Sequence, residues 1–218
     1  GTGLKKYTVL TVLFILPLVT YLFFASAVHS FANLPTVNKD ALTQKEFQDL
    51  ITDANITLDN KINVITFLGN DVSRQKNFAF NLKEKIYDKN KEFQDFQFVS
   101  FVGRDQVKEI KDFVYEVNLT SDPSKWNFVD LSNSELNGMF KNLTDSKLKL
   151  NKQNSSSLAF IVDKKGNLRG RVEDKDYGEM LGYNITSIAD LNNKMVDDIK
   201  VILAEYRLEL KKYKADRK

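Results

Sequence analysis

The hydrophobic pattern changes character along the chain. Tyr7 to Val28 is an almost unbroken apolar run with no charged residue, dominated by Leu, Val, Ile and Phe. At ~1.5 Å per residue such a helix spans a hydrocarbon core of about 30 Å. Pro17 lies inside the run, which membrane helices tolerate. Residues 29–43 are polar and read as a linker, with Pro35 setting an extended stretch.

Beyond the linker, short apolar blocks alternate with helical periodicities. Gln44 to Asp53 predicts a short amphipathic helix, with Phe47, Leu50 and Ile51 on one face. Residues 62–68 (INVITFL) and 96–102 (FQFVSFV) predict two buried strands. Phe78, Leu82, Ile86 and Phe93 mark a helix between them, after the loop signal Gly69-Asn70-Asp71. Val107, Ile110, Phe113, Val114 and Val117 mark the next helix, and Trp126 to Val129 a short strand. Ser132 to Leu143 reads as a helix whose Ser132 and Glu135 have capping-box spacing. Residues 144–157 are polar loop. Leu158 to Val162 is a strand, Asp163 to Asn167 a hairpin turn, and Leu168 to Val172 the returning partner. Ser187 to Lys212 closes the chain as a long helix, striped by Ile188, Leu191, Met195, Ile199, Ile202, Leu203, Tyr206 and Leu210.

The order β-α-β-α-β-α-β-β-α implies right-handed parallel crossovers followed by an antiparallel hairpin and a covering helix. That is the α/β order of a thioredoxin-like central sheet with flanking helices, here preceded by one transmembrane helix. The expected layout is a cytoplasmic N-terminus at 1–6, a signal anchor at 7–28, a linker at 29–43, a globular domain at 44–214 and a basic tail at 215–218. Lys5 and Lys6 precede the apolar run and the next lysine is Lys39, so the positive-inside rule places the domain outside the cytoplasm, in the periplasm beside a bacterial inner membrane. Ala25-Ser26-Ala27 offers the rival reading of a signal-peptide cleavage site. The apolar run exceeds the usual ~7–15-residue signal core, which favours a retained anchor.

Composition narrows the chemistry. The chain has no cysteine, and its one histidine, His29, adjoins the apolar run. Thiol redox chemistry, a soft Cys/His metal site in the exported domain, and a Ser-His-Asp or Cys-His engine are all unavailable. The triplet Ser155-Ser156-Ser157 has no base to activate it. The 32 basic and 29 acidic residues are mixed, giving +3 and no phosphate-binding stripe, so nucleic acid is not an expected partner.

Phe160 to Arg171 (FIVDKKGNLRGR) resembles the "hydrophobic strand, Asp-x-x-Gly, strand, Arg-Gly" signature of the Sco/SenC family. Asp122 to Phe128 (DPSKWNF) resembles that family's short Trp-containing strand, and Met195 to Leu203 its terminal helix. The N-terminal anchor is shared too, and the resemblance covers most of residues 58–212. It implies a membrane-anchored, thioredoxin-fold copper chaperone for cytochrome c oxidase, with copper held by a Cys-x-x-x-Cys pair after the first central strand and a His before a later one. By that register Asp71 and Gln75 stand where the cysteines would be, and Ser155 where the histidine would be. These are hard oxygen donors, whereas Cu(I) needs soft thiolates.

The resemblance thus implies a non-catalytic Sco-like protein with no enzyme activity, no catalytic residue, no cofactor and no metal. It would be an accessory factor, assembly factor or subunit of a haem-copper oxidase or respiratory supercomplex. A scaffold in another envelope complex, or a chaperone for a harder metal using oxygen ligands near Asp71, are the alternatives. Expected partners are the bilayer, through residues 7–28, and a membrane protein complex. Residues 178–183 (GEMLGY) interrupt the passage into the last helix, making Gly178, Met180 and Tyr183 candidate partner contacts. Glu173 to Asp176 reads as a solvated acidic loop and Met139, Met180 and Met195 as core filling. Lys211 to Lys218 reads as a solvated basic end, with anionic headgroups as the alternative.

Overall fold

The computed structural model describes residues 2–30 and 33–217. Gly1 of the expected N-terminal segment, residues 31 and 32 of the expected linker, and Lys218 of the expected tail lie outside them, as does the side chain of His29. The chain divides into two units, one comprising residues 1–33 and 200–218, the other residues 34–199.

In the first unit, α1 (Thr2–Ser30) is one helix with Pro17 inside it. Its Lys5–Ala25 stretch is long and apolar enough to cross a membrane, and its large hydrophobic side chains from Tyr7 to Phe24 are exposed. The unit also holds most of the last helix.

The second unit is built on a central sheet. Its strands are β1 (Thr36–Asn38), β4 (Ile62–Gly69), β5 (Phe96–Gly103), β6 (Trp126–Leu131), β7 (Leu158–Val162) and β8 (Leu168–Arg169), in the order β1-β8-β7-β4-β5-β6, with β11 (Tyr183–Asn184) also on β7. β4, β5 and β6 are parallel, and β7 and β8 run antiparallel. β4 and β5 are buried at every position, which is why their sequences are apolar runs with little alternation.

Between the parallel strands run α2 (Val72–Leu82), continuing through a π turn (Lys83–Tyr87) into α3 (Asp88–Asn90), then α4 (Val107–Asn118). α5 (Asn133–Leu143) follows β6, and α6 (Ile188–Asp190) passes through a second π turn (Leu191–Met195) into α7 (Val196–Asp216). On one face of the sheet Phe67 packs against Phe101, Phe140 and Phe160, with centroids 5.3, 5.1 and 6.3 Å away. Trp126 sits among Tyr87, Phe98, Phe113 and Phe128.

The capping box at α5 is present as expected: Ser132 Oγ accepts from Glu135 N, and Glu135 Oε2 accepts from Ser132 N. Three expectations are corrected. Gln44 to Asp53 is not a helix: Glu46–Gln48 forms β2, paired with β3 (Asn55–Thr57). The cause is Asp49, whose buried carboxylate accepts the backbone N–H groups of Ile51, Thr52 and Phe128 and so stabilises a turn. The stretch taken as linker contributes β1, which covers the outer edge of β8. Leu168 to Val172 is not one strand: β8 breaks at Gly170, and β9 (Arg171–Asp174) leaves to pair with β10 (Gly178–Met180). A Cβ on Gly170 would lie 2.2 Å from the Met180 carbonyl oxygen, so the break needs glycine.

Candidate functional site: a thiol-free cleft at the head of the central strand

The β4–α2 turn and the loop before β7 are held together by backbone. Gly69 ends β4 with φ +55°, and a Cβ there would lie 2.1 Å from the Asn154 carbonyl oxygen. Asn70 N donates to the Gln153 carbonyl at 2.8 Å, and Ser156 N to the Phe67 carbonyl at 2.8 Å. Asn151 organises the loop itself: its Oδ1 accepts from Gln153 N and Ser155 N at 2.9 and 3.0 Å.

This clamp brings Asp71, Gln75 and Ser155 onto one cleft of about 560 Å³. Phe78, Phe140, Leu148 and Leu158 supply its apolar wall, and Asn151, Ser156, Ser157 and Thr186 its polar one. Leu148, Ser157 and Leu158 also line a neighbouring cavity of about 410 Å³, bordered by Tyr177, Glu179, Met180 and Leu181. Lys147 and Glu179 on that second cavity pair at 2.7 Å.

The three side chains differ in what they offer. Asp71 begins α2 without capping it through its carboxylate, which stands 3.7 Å from the exposed Arg74. Gln75 is 6% exposed, and its Oε1 is buried with no hydrogen-bond partner. An acceptor left in that state costs about 1–3 kcal/mol. Ser155 is buried, and its hydroxyl is engaged by the Asn151 side-chain amide at 2.9 Å. One carboxylate, one neutral amide and one occupied hydroxyl do not fit a Cu(I) ion. Among the described residues no cluster of three or more His, Cys, Asp or Glu side chains is placed to hold a metal.

Of the residues expected to meet a partner, only Gly178 is exposed, with φ +69° and open space around it. Met180 is 5% exposed and Tyr183 fully buried, so on this chain's surface Tyr177 is the available neighbour. Tyr183 turns inward because its hydroxyl donates to Asp198 at 2.5 Å, and burial beside that carboxylate pushes its pKa up.

The acidic loop conceals a buried charge cluster. Asp174 is enclosed, not solvated: it accepts from Lys194, Arg171 and the backbone of Asp176 and Tyr177. Those donors, Lys194 first, hold its carboxyl far below the usual carboxylate range. Arg171 also pairs with Asp198 at 2.8 Å, so β9, the second π turn and the start of α7 are locked together. A sequence cue existed in the position of Lys194, next to Met195 and three residues after Leu191 on the apolar stripe of the last helical segment.

The sequence matches no family model and no curated protein. Solved structures do match. A structure of BsSco, described as a member of the Sco family of cytochrome c oxidase assembly proteins with a disulfide switch, aligns at TM-score 0.54 and 15% identity over 77% of this chain and 95% of that one. The domain has a Sco-like fold. The soluble domain of Sco1 from Bacillus subtilis aligns at TM-score 0.47 and 16% identity, covering 74% of this chain and 92% of that one. The thioredoxin domain of a thiol-disulfide oxidoreductase from Bacteroides vulgatus aligns at TM-score 0.42 and 15% identity, covering 75% and 94%. Against this Sco-like background, the absence of any cysteine is the chain's distinguishing chemical fact.

Proposed function

We propose that this protein is a membrane-anchored, Sco-like binding module that serves a cytochrome c oxidase or respiratory supercomplex as an assembly factor or subunit. It would contribute docking, with no redox or metal chemistry of its own. The observation that carries this reading is the cleft. The fold gathers Asp71, Gln75 and Ser155 on one cavity, yet none of the three supplies a thiolate or an imidazole. What remains is a groove with an apolar wall and amide and hydroxyl groups along it. Such a surface reads a partner's backbone and small side chains by hydrogen bonding and shape.

The link to an oxidase rests on the Sco-like fold and is an analogy of fold, since function resides in sites. A membrane span at Lys5–Ala25, which is long and apolar enough for one, would support it by keeping the domain beside membrane partners. The test is purification of the tagged full-length protein in mild detergent, followed by mass spectrometry and a haem spectrum. Stoichiometric oxidase subunits with haem identify a subunit, and substoichiometric ones an assembly factor. An eluate with other envelope proteins and no haem would overturn the oxidase assignment.

A further inference from the structure

The apolar stripe of α7 runs on past its buried positions. Leu203 and Tyr206 are 7% and 6% exposed. Leu210 and Tyr213 continue at the spacing that keeps them on the same helix face, yet are 46% and 57% exposed. Arg217 lies over the Tyr213 ring, 4.6 Å from its centroid. Arg207, Lys211, Lys212 and Lys214 are exposed around them, so residues 207–217 carry five cations against the carboxylates of Glu209 and Asp216.

The occupant of this face must accept apolar side chains and positive charge together. A second copy fits poorly, because pairing two such ends brings like charges together. An anionic bilayer surface fits both demands: Leu and Tyr enter the headgroup–acyl boundary while lysine stems lie along it with their ammonium groups in water. Only residues 26–33 separate the apolar span from Leu34, so a bilayer is within reach of the chain. We propose that residues 207–217 of α7 are a membrane-surface contact, seated on anionic phospholipid through Leu210 and Tyr213. The proposal rests on the reading of Lys5–Ala25 as a membrane span.

The cysteine-free sequence makes the test clean. Full-length protein carrying Leu210→Cys, or separately Tyr213→Cys, is labelled with an environment-sensitive fluorophore. It is reconstituted in vesicles of phosphatidylcholine, with and without phosphatidylglycerol. The expected result is blue-shifted, quencher-protected emission in the anionic vesicles only, reversed by high salt and by neutralising Lys211, Lys212 and Lys214 to Gln. Emission of a water-exposed label in both lipids would overturn the proposal. So would an equal shift in both that grows with protein-to-lipid ratio, which marks a second copy as the cover. Alkaline extraction of the same vesicles tests the span separately: release of the protein would remove that reading, and the proposal with it.

Discussion

Lys194 donates to both carboxylate oxygens of Asp174, at 2.7 and 2.8 Å, with the two side chains 6% and 1% exposed. Removing one partner of such a pair strands the other charge, which costs far more than the net worth of the pair. Asp174→Ala is therefore expected to destabilise the domain by roughly 3 kcal/mol, seen as a fall in Tm of about 10 °C by calorimetry. A fall of no more than a degree or two would show that Lys194 and Arg171 find other acceptors.

The same carboxyl sets an acid dependence. Its folded pKa lies below the unfolded value, so its contribution is complete above about pH 4 and is lost as pH falls toward the folded pKa. The stability gap between wild type and Asp174→Asn should be constant near neutrality and narrow below about pH 4. Chemical denaturation across that range measures it, and a gap that widens in acid contradicts the assignment.

Tyr87 gives the opposite sign at the alkaline end. Burial is the largest cause of the rise in its pKa to about 12, and its hydroxyl donates to the Asp122 carbonyl at 2.6 Å. A raised folded pKa means the stabilisation is complete below about pH 10 and is lost as pH climbs toward 12. Tyr87→Phe should cost about 1 kcal/mol at neutral pH, with the difference shrinking as pH climbs from about 10 toward 12 and the wild type losing its advantage in strong alkali. Spectrophotometric titration should show one tyrosine fewer ionising late.

Gly69 is where the fold makes the cleft. Alanine there faces both the positive φ and the Asn154 carbonyl, so the loop wall must shift. Gly69→Ala should lose at least about 1 kcal/mol from the backbone alone. Hydrogen exchange should rise specifically at the Asn70 and Ser156 amides, whose acceptors lie across that junction. Uniform loss of protection would mean simple global destabilisation instead.

The α5 cap is a local test. Ser132→Ala removes the acceptor of Glu135 N and should cost about 1 kcal/mol. Glu135→Gln keeps the reciprocal bond to Ser132 N and should cost less. A larger loss from Glu135→Gln than from Ser132→Ala would show that charge outweighs hydrogen bonding at this terminus.

The parts of the fold legible in sequence were those whose cause is local or periodic. β4, β5 and β7 announce themselves as apolar, β-branched runs because both faces are covered. α5 is legible from Ser132 and Glu135. β1, β10 and β11 are three residues or fewer and owe their pairing to distant backbone, so no periodicity reveals them. Asp49 overrode a helical pattern by binding Phe128, a residue far along the chain. At the cleft, Asp71, Gln75 and Ser155 were found through the family resemblance. Asn151 and Leu148 were not, since the loop that carries them has no repeating pattern. Glu173 to Asp176 looked like a solvated charge run because Lys194, which buries Asp174, lies in the last helical segment.

On the proposed function, this Sco-like domain docks a respiratory partner in the cleft. Ser157 is exposed and lines both cavities, so Ser157→Trp fills the groove without entering the core. The decisive measurement is parallel mild-detergent purification of full-length wild type and Ser157→Trp, with quantitative mass spectrometry and haem absorbance of each eluate. Haem-bearing oxidase or supercomplex subunits are expected with wild type, and roughly tenfold less with Ser157→Trp, equivalent to about 1.4 kcal/mol of lost affinity. Equal recovery with both proteins, or no respiratory subunit with either, would contradict it.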